Sequence, residues 1–111
     1  PSLSSPPHTF FSGMLTKRGS FYPSWKRRYF ELEGCTLNYY ESRDGMKWKG
    51  NFRVSAVTFL CAEAVVDDRV LCFYLENRDK ILYLEAPTDL DRDSWVAALQ
   101  RCIRDQQQQQ D

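Results

Sequence analysis

Histidine is nearly missing from this chain of 111 residues: the single one, His8, sits in a Pro- and Ser-rich opening stretch that no packed fold would hold. Four cysteines, at 35, 61, 72 and 102, never fall at CxxC spacing. A metal site and a Cys-His catalytic pair are therefore not expected, and neither is a cofactor. Glycine is scarce, and no Gly-rich loop opens a helix, which removes the usual cradle for nucleotide phosphates. Neighbouring carboxylates such as Asp67 and Asp68 fall at a turn, open to water, where nothing would tune them for acid-base work. The chain reads as a non-enzyme.

Long apolar runs are lacking too. None reaches the length of a bilayer span, and the opening stretch has no apolar core of a signal peptide. The expectation is a soluble, cytoplasmic domain. Its cysteines, such as Cys61 after Phe59-Leu60 and Cys72 before Phe73, then read as small core residues in a reducing compartment. Net charge is absent as well, 15 Lys and Arg standing against 15 Asp and Glu, so a uniformly basic nucleic-acid binder is set aside. The charge is nevertheless divided. Residues 13–53 carry nine basic and four acidic side chains, a balance of +5, and residues 54–111 carry six and eleven, a balance of −5. Such a dipole would orient before a membrane or another polyanion, over the roughly 8 Å that salt screening allows.

What the chain does have is apolar and aromatic residues, 42% and 14%, enough for one core in a domain of this length. Residues 1–9 read as a linker, and 106–111 as the start of a Gln-rich low-complexity tail. Between them the alternation predicts strands near 10–18, 25–33, 36–42, 49–54, 57–65, 70–76 and 80–86. Turns are signalled by Glu33-Gly34, Arg43-Asp44-Gly45, Asp67-Asp68 and Asn77-Arg78-Asp79. A helix follows. Thr88 can cap it, Asp89, Asp91 and Asp93 suit the positive end of its dipole, and Arg101 and Arg104 its last turns. Trp95, Val96, Leu99, Cys102 and Ile103 form one apolar stripe. The expected fold is mainly β, a seven-stranded bent antiparallel β-sandwich or barrel capped by one C-terminal α-helix, with the opposite end open and wet.

Cations gather at that open end. Leu15 and Lys17 share one face of the first strand, and Lys26, Arg28, Phe30 and Leu32 one face of the second. Residues 18–24, with Gly19, Ser20, Pro23 and Ser24, read as the hairpin loop between them. Antiparallel pairing would set Lys17 against Lys26 and Leu15 against Arg28. Facing like charges cost up to about 1 kcal/mol per pair, a cost that an anion would relieve. The plainer reading is a solvated edge with charges held in water. Phe21 and Tyr22 in the loop suit a membrane interface, whereas Trp48, between Lys47 and Lys49, fits packing better.

Taken in order, Gly13-x-Leu15-x-Lys17, Trp25-Lys26-Arg27-Arg28-Tyr29-Phe30-x-Leu32, Leu37-x-Tyr39-Tyr40, Gly50 and the late Trp95 resemble a pleckstrin homology (PH) domain over residues 10–105. Members that recognise 3-phosphorylated inositol lipids carry a Lys late in the first strand and K/R-x-R before aromatics in the second, matched by Lys17, Lys26, Arg28, Tyr29 and Phe30. A basic residue before a Gly in the fourth strand is matched by Lys49-Gly50. Alignment on Leu37 puts Asn38 where many of these members have a phosphate-contacting Tyr. The resemblance implies a headgroup site of Lys17, Lys26, Arg28, Asn38 and Lys49, flanked by Arg18 and the backbone of Gly19 and Ser20. It further implies recruitment of a cytoplasmic protein to the plasma membrane or endomembranes through PtdIns(3,4,5)P3 or PtdIns(3,4)P2. The alternative is a protein-protein interaction module of the same fold with weak lipid binding, whose acidic second half receives a basic partner.

Overall fold

The computed structural model describes residues 10–19 and 24–109, so the expectations for Ser20, Phe21 and Tyr22 lie outside the described residues. Seven strands and one helix follow one another: β1 (Phe10–Arg18), β2 (Trp25–Glu33), β3 (Thr36–Tyr40), β4 (Trp48–Arg53), β5 (Phe59–Val66), β6 (Arg69–Asn77), β7 (Lys80–Glu85) and α1 (Asp89–Gln108). All pairings are antiparallel, in the order β4-β3-β2-β1-β7-β6-β5. Of the two forms the sequence allowed, the sheet takes the bent, unclosed one, with β4 and β5 as its edges.

Alternation along each strand decides which residues build the core. Leu15, Phe30, Leu32, Leu37, Tyr39, Phe52, Leu75, Leu82 and Leu84 turn inward and are buried, as the period of two requires. The β1–β2 ladder is the one the hairpin reading demanded, with Leu15 opposite Arg28 and Lys17 opposite Lys26. Two short turns use left-handed backbone: Gly34 between β2 and β3 (φ 62°), and Asp67 and Asp68 between β5 and β6 (φ 53° and 65°). Two successive left-handed residues make the tight turn whose twist suits a hairpin, and aspartate tolerates that conformation. Between β1 and β7 the register consists of two pairs alone, Thr16 with Glu85 and Lys17 with Leu84.

Helix α1 packs across the end of the sheet remote from Arg18 and Trp25, where β1 ends and β2 begins. The Thr88 hydroxyl accepts the Asp91 backbone N–H at 3.1 Å, satisfying a donor that the first turn leaves unpaired. Trp95 is the centre of the contact, meeting Phe11 edge-on at 4.7 Å and Phe30 at 6.5 Å between ring centroids. The helix runs further than the Gln-rich composition suggested, to Gln108, so Arg101 and Arg104 are not in its last turn. Its tail is fastened by side chains. Cys102 Sγ donates to Gly34 O at 2.9 Å, Gln106 Nε2 donates to Cys35 Sγ at 3.3 Å, and Gln107 Nε2 donates to Ala56 O at 3.2 Å. With this end closed by α1, no second helix caps the opposite end among the described residues, where β1 finishes at Arg18, β2 begins at Trp25, and the β3–β4 loop and the β6–β7 turn lie. Among the described residues no helix is long and apolar enough to cross a membrane.

Candidate functional site

Lys17 is the centre of the uncovered end. Its strand parity points it inward one step beyond buried Leu15, and its ammonium lies 5.3 Å from the centroid of the Tyr39 ring. Tyr39 itself stacks on Phe30, centroids 5.1 Å apart, so the core positions the ring and the ring positions the amine through a cation–π contact. Burial holds the Lys17 amine below the usual lysine range, and the charges of Lys80 and Arg28 lower it further. Burial likewise raises the Tyr39 phenol, against a smaller opposing effect of Arg28. These influences define the cluster: the charges of Arg28 and Lys80 reach Lys17, and that of Arg28 reaches Tyr39, so the four side chains share one rim.

Gly50 shapes its floor. It pairs with Tyr39 across β3–β4, and a Cβ at this position would lie 2.5 Å from Tyr39 Oη and 2.7 Å from Cζ. Only a residue without a side chain lets the phenol lie down here. Lys80, first residue of β7, reaches over the gap to the far edge of the sheet. Its Nζ donates to Asn51 O at 2.9 Å and lies 6.0 Å from the Phe52 ring centroid, while Asn77 Nδ2 donates to Arg53 O nearby at 3.0 Å.

Several expected members stand elsewhere. Asn38 alternates with the inward Leu37 and Tyr39, so it faces the opposite side of the sheet, where Oδ1 accepts the Trp48 indole N–H at 3.1 Å. Lys49 is exposed at the bulge where Trp48 pairs with Tyr40 and Gly50 with Tyr39; the charge acting on Lys17 comes from Lys80 instead. Arg18 follows Lys17 in the strand and so takes the other face, in an ion pair with Asp67 at 3.1 Å and 5.5 Å from the Tyr83 ring centroid. The Gly19 N–H is already donated to Ser24 O at 2.8 Å, which removes it from any anion cradle. Lys26 is exposed opposite Lys17. Arg28 is half-buried, with Nη1 donating to Arg27 O at 3.1 Å.

Tyr39 and Lys80 are the members that sequence reasoning missed. Parity with Leu37 marks Tyr39 as the inward tyrosine; Lys80 carries no local signal beyond its place just after the Asn77-Arg78-Asp79 turn. Among the described residues the ion pairs use Arg18, Arg69 and Arg92, so Lys17, Lys26, Arg28 and Lys80 form a cationic rim without a carboxylate partner. Such a rim can hold a polyanion: Arg28 offers a planar fork for one phosphate, and the lysines act as movable point charges.

Comparison with known proteins bears on this geometry. The PH domain family matches residues 9–104. The chain is similar to pleckstrin-2 of Mus musculus, 35% identical over 88 residues, covering 76% of this chain and 25% of that protein. It is also similar to the dual adapter for phosphotyrosine and 3-phosphotyrosine and 3-phosphoinositide of Mus musculus, 32% identical over 90 residues, covering 78% and 31%. The chain thus spans less than a third of the length of these relatives. Among solved structures it resembles the C-terminal PH domain of pleckstrin in complex with D-myo-Ins(1,2,3,5,6)P5, with a TM-score of 0.73, 25% identity, and coverage of 85% of this chain and 94% of that one.

Proposed function

The chain belongs to the PH domain family, a family of non-catalytic modules that bind inositol phosphates, phospholipids or proteins, and from that premise we propose that it recruits its parent protein from the cytoplasm to the plasma membrane or endomembranes by reading 3-phosphorylated inositol headgroups, PtdIns(3,4,5)P3 or PtdIns(3,4)P2. The observation that carries the proposal is the cationic rim of Lys17, Arg28 and Lys80, none of them ion-paired among the described residues, with Lys17 seated against Tyr39. The tyrosine that the resemblance seeks in the third strand is supplied one residue later than alignment on Leu37 suggests, by Tyr39. Charge-assisted hydrogen bonds contribute about 1.5 to 3 kcal/mol each. Three or four of them, less the costs of association, give affinity of about micromolar or better. Two relatives support the choice of ligand: one is described as an adapter for 3-phosphoinositide, and a structural neighbour was crystallised with an inositol pentakisphosphate.

Flotation with liposomes of defined composition tests it. Liposomes carrying the trisphosphate retain the wild type, and Arg28→Ala and Lys17→Ala are lost to the unbound fraction. Equal retention on phosphatidylserine alone, or undiminished retention of Arg28→Ala, overturns headgroup recognition. A protein-interaction reading has its own observation: β5 pairs with β6 on one side and forms an edge of the sheet on the other, with Phe59 and Val65 exposed, an edge suited to an added strand from a partner. A pull-down that survives charge reversal at Lys17 and Arg28 favours it.

A further inference from the structure

The rung that carries Lys17 is the most strained electrostatically in the β1–β2 ladder. Lys17 stands opposite Lys26, and facing ammonium groups push two strands apart. One rung further on, Arg18 stands opposite Trp25 and the ladder ends, followed by the bond from Gly19 N–H to Ser24 O at 2.8 Å. On its other side this stretch of β1 meets β7 through Thr16 and Lys17 alone. Backbone pairing thins out where the cationic rim is built.

Side chains on the outer face of the sheet compensate. Asp67, from the tight turn between β5 and β6, reaches both members of the last rung: its Oδ2 accepts the Trp25 indole N–H at 3.0 Å and lies 3.1 Å from Arg18 Nε. Two residues on, the Arg69 guanidinium lies over the Trp25 ring, 4.6 Å from its centroid, and pairs with Glu85 at 2.6 Å; Glu85 is the β7 partner of Thr16. Arg18 in turn lies 5.5 Å from the ring centroid of Tyr83 on β7. The contacts thus run from the last rung through the β5–β6 turn to β7 and back to β1, a closed circuit across the junction that the backbone bridges with two pairs. The left-handed φ of Asp67, 53°, belongs to the turn itself, so a tight hairpin carries the carboxylate.

Resting on the reading of the rim as a headgroup site, we propose that Asp67 is a positioning residue for it: by holding Arg18 to Trp25 from the outer face, it fixes Lys17 and Lys26 beside Arg28 before a polyphosphate arrives, without touching the ligand itself. Donors already in place lose less freedom on binding. The sign of the effect separates this role from simple electrostatics. Asp67 is a negative charge at the basic end of the molecule, so charge alone has its removal tighten the hold on a polyanion. Loss of positioning weakens that hold.

Titration calorimetry of the whole chain with soluble inositol 1,3,4,5-tetrakisphosphate reads that sign, at a temperature where circular dichroism finds every variant folded. Asp67→Asn tolerates the left-handed backbone and keeps an oxygen for the indole N–H, while losing the charge that pairs with Arg18. It binds about fivefold more weakly than wild type. Trp25→Phe, neutral and without the N–H, weakens binding in the same direction, and the double variant loses less than the two single losses combined, because both changes open one tie. Asp67→Glu restores part of the affinity. Unchanged or tighter binding by Asp67→Asn overturns the positioning role, and so does full additivity in the double variant. Native-state hydrogen exchange reads the tie without any ligand: in Asp67→Asn the amides of Lys17, Arg18, Trp25 and Lys26 exchange faster, while those of β3 and β4 keep wild-type protection. Unchanged exchange at the four overturns the tie. A wild type that ignores the tetrakisphosphate overturns the headgroup function and the positioning role with it, and faster exchange in Asp67→Asn then still identifies the circuit as a brace of the fold.

Discussion

Gly50 sets where the ring beneath Lys17 can lie, because Tyr39 occupies the space that a methyl group would need. Gly50→Ala should push the phenol off its stack on Phe30 and displace Lys17, which rests over the same ring. The overpacking costs about 1 to 3 kcal/mol, visible as a lower thermal midpoint, and headgroup affinity falls with it; an alanine variant as stable and as tight as wild type would show that the ring yields freely. Lys17 makes the site sensitive to alkali. Burial and two neighbouring cations depress its proton affinity, and a bound polyanion opposes the charge contribution and raises it. Affinity is thus complete below the free protein's Lys17 pKa and declines as pH rises through it, earlier than an ordinary lysine near about 10.4 would titrate. Folding stability runs the other way, rising over the same window because the unfolded chain keeps this proton to higher pH. Calorimetry between about pH 7 and 10 checks the decline, and Lys17→Arg, which keeps its charge throughout, should flatten it. At this scale the sequence showed Lys17, Lys26 and Arg28 plainly, since one hairpin places them. It could not show Lys80, which arrives from residues far along the chain.

Elements were more legible than the side chains they carry. Alternation and turn residues located all seven strands to within two residues, and the stripe from Trp95 to Ile103 located the helix. Parity also contained the answer for β3, where Leu37 and Tyr39 must share a face and Asn38 cannot join them. The fourth strand resisted because a bulge interrupts parity between Gly50 and Trp48, and such a bulge leaves no mark in composition. The end of α1 resisted for a different reason: glutamine is a good helix former, and Gln106 and Gln107 find partners on Cys35 and Ala56, so a stretch that reads as low complexity is built into the fold. Trp95 joins the helix to β1 and β2 through Phe11 and Phe30. Trp95→Ala should cost about 3 to 5 kcal/mol in denaturant unfolding; a loss below about 1 kcal/mol would mean the helix is held mainly by its tail.

Across the whole molecule, what matters is which cations are already occupied. Among the described residues, Arg18, Arg69 and Arg92 have carboxylate partners, whereas Lys17, Lys26, Arg28, Arg43, Lys47 and Lys80 have none. The Arg18–Asp67 pair takes one charge from each side of the +5 and −5 division along the sequence, and the pairs of Arg69 and Arg92 fall within the second half, so most of the first half's positive charge is left without a carboxylate among the described residues. Association with anionic vesicles should slow steeply as salt rises, because the screening length falls from about 10 Å at 0.1 M to about 3 Å at 1 M. Stopped-flow mixing measures this, and a rate indifferent to salt would remove steering from the account.

The sparse junction of β1 with β7 also bears on how the chain assembles. Hairpins from β1 to β4 close over short separations, whereas Thr16 must find Glu85 and Lys17 must find Leu84 across most of the sequence, a loop whose closure entropy is repaid only late. The junction is then the last to zip and the first to breathe. In native-state hydrogen exchange, amides held by those two pairs should open ahead of the β1–β2 ladder, and because Lys17 belongs to one of them, a polyanion held at its amine would act as a clasp across the slowest-forming joint of the domain.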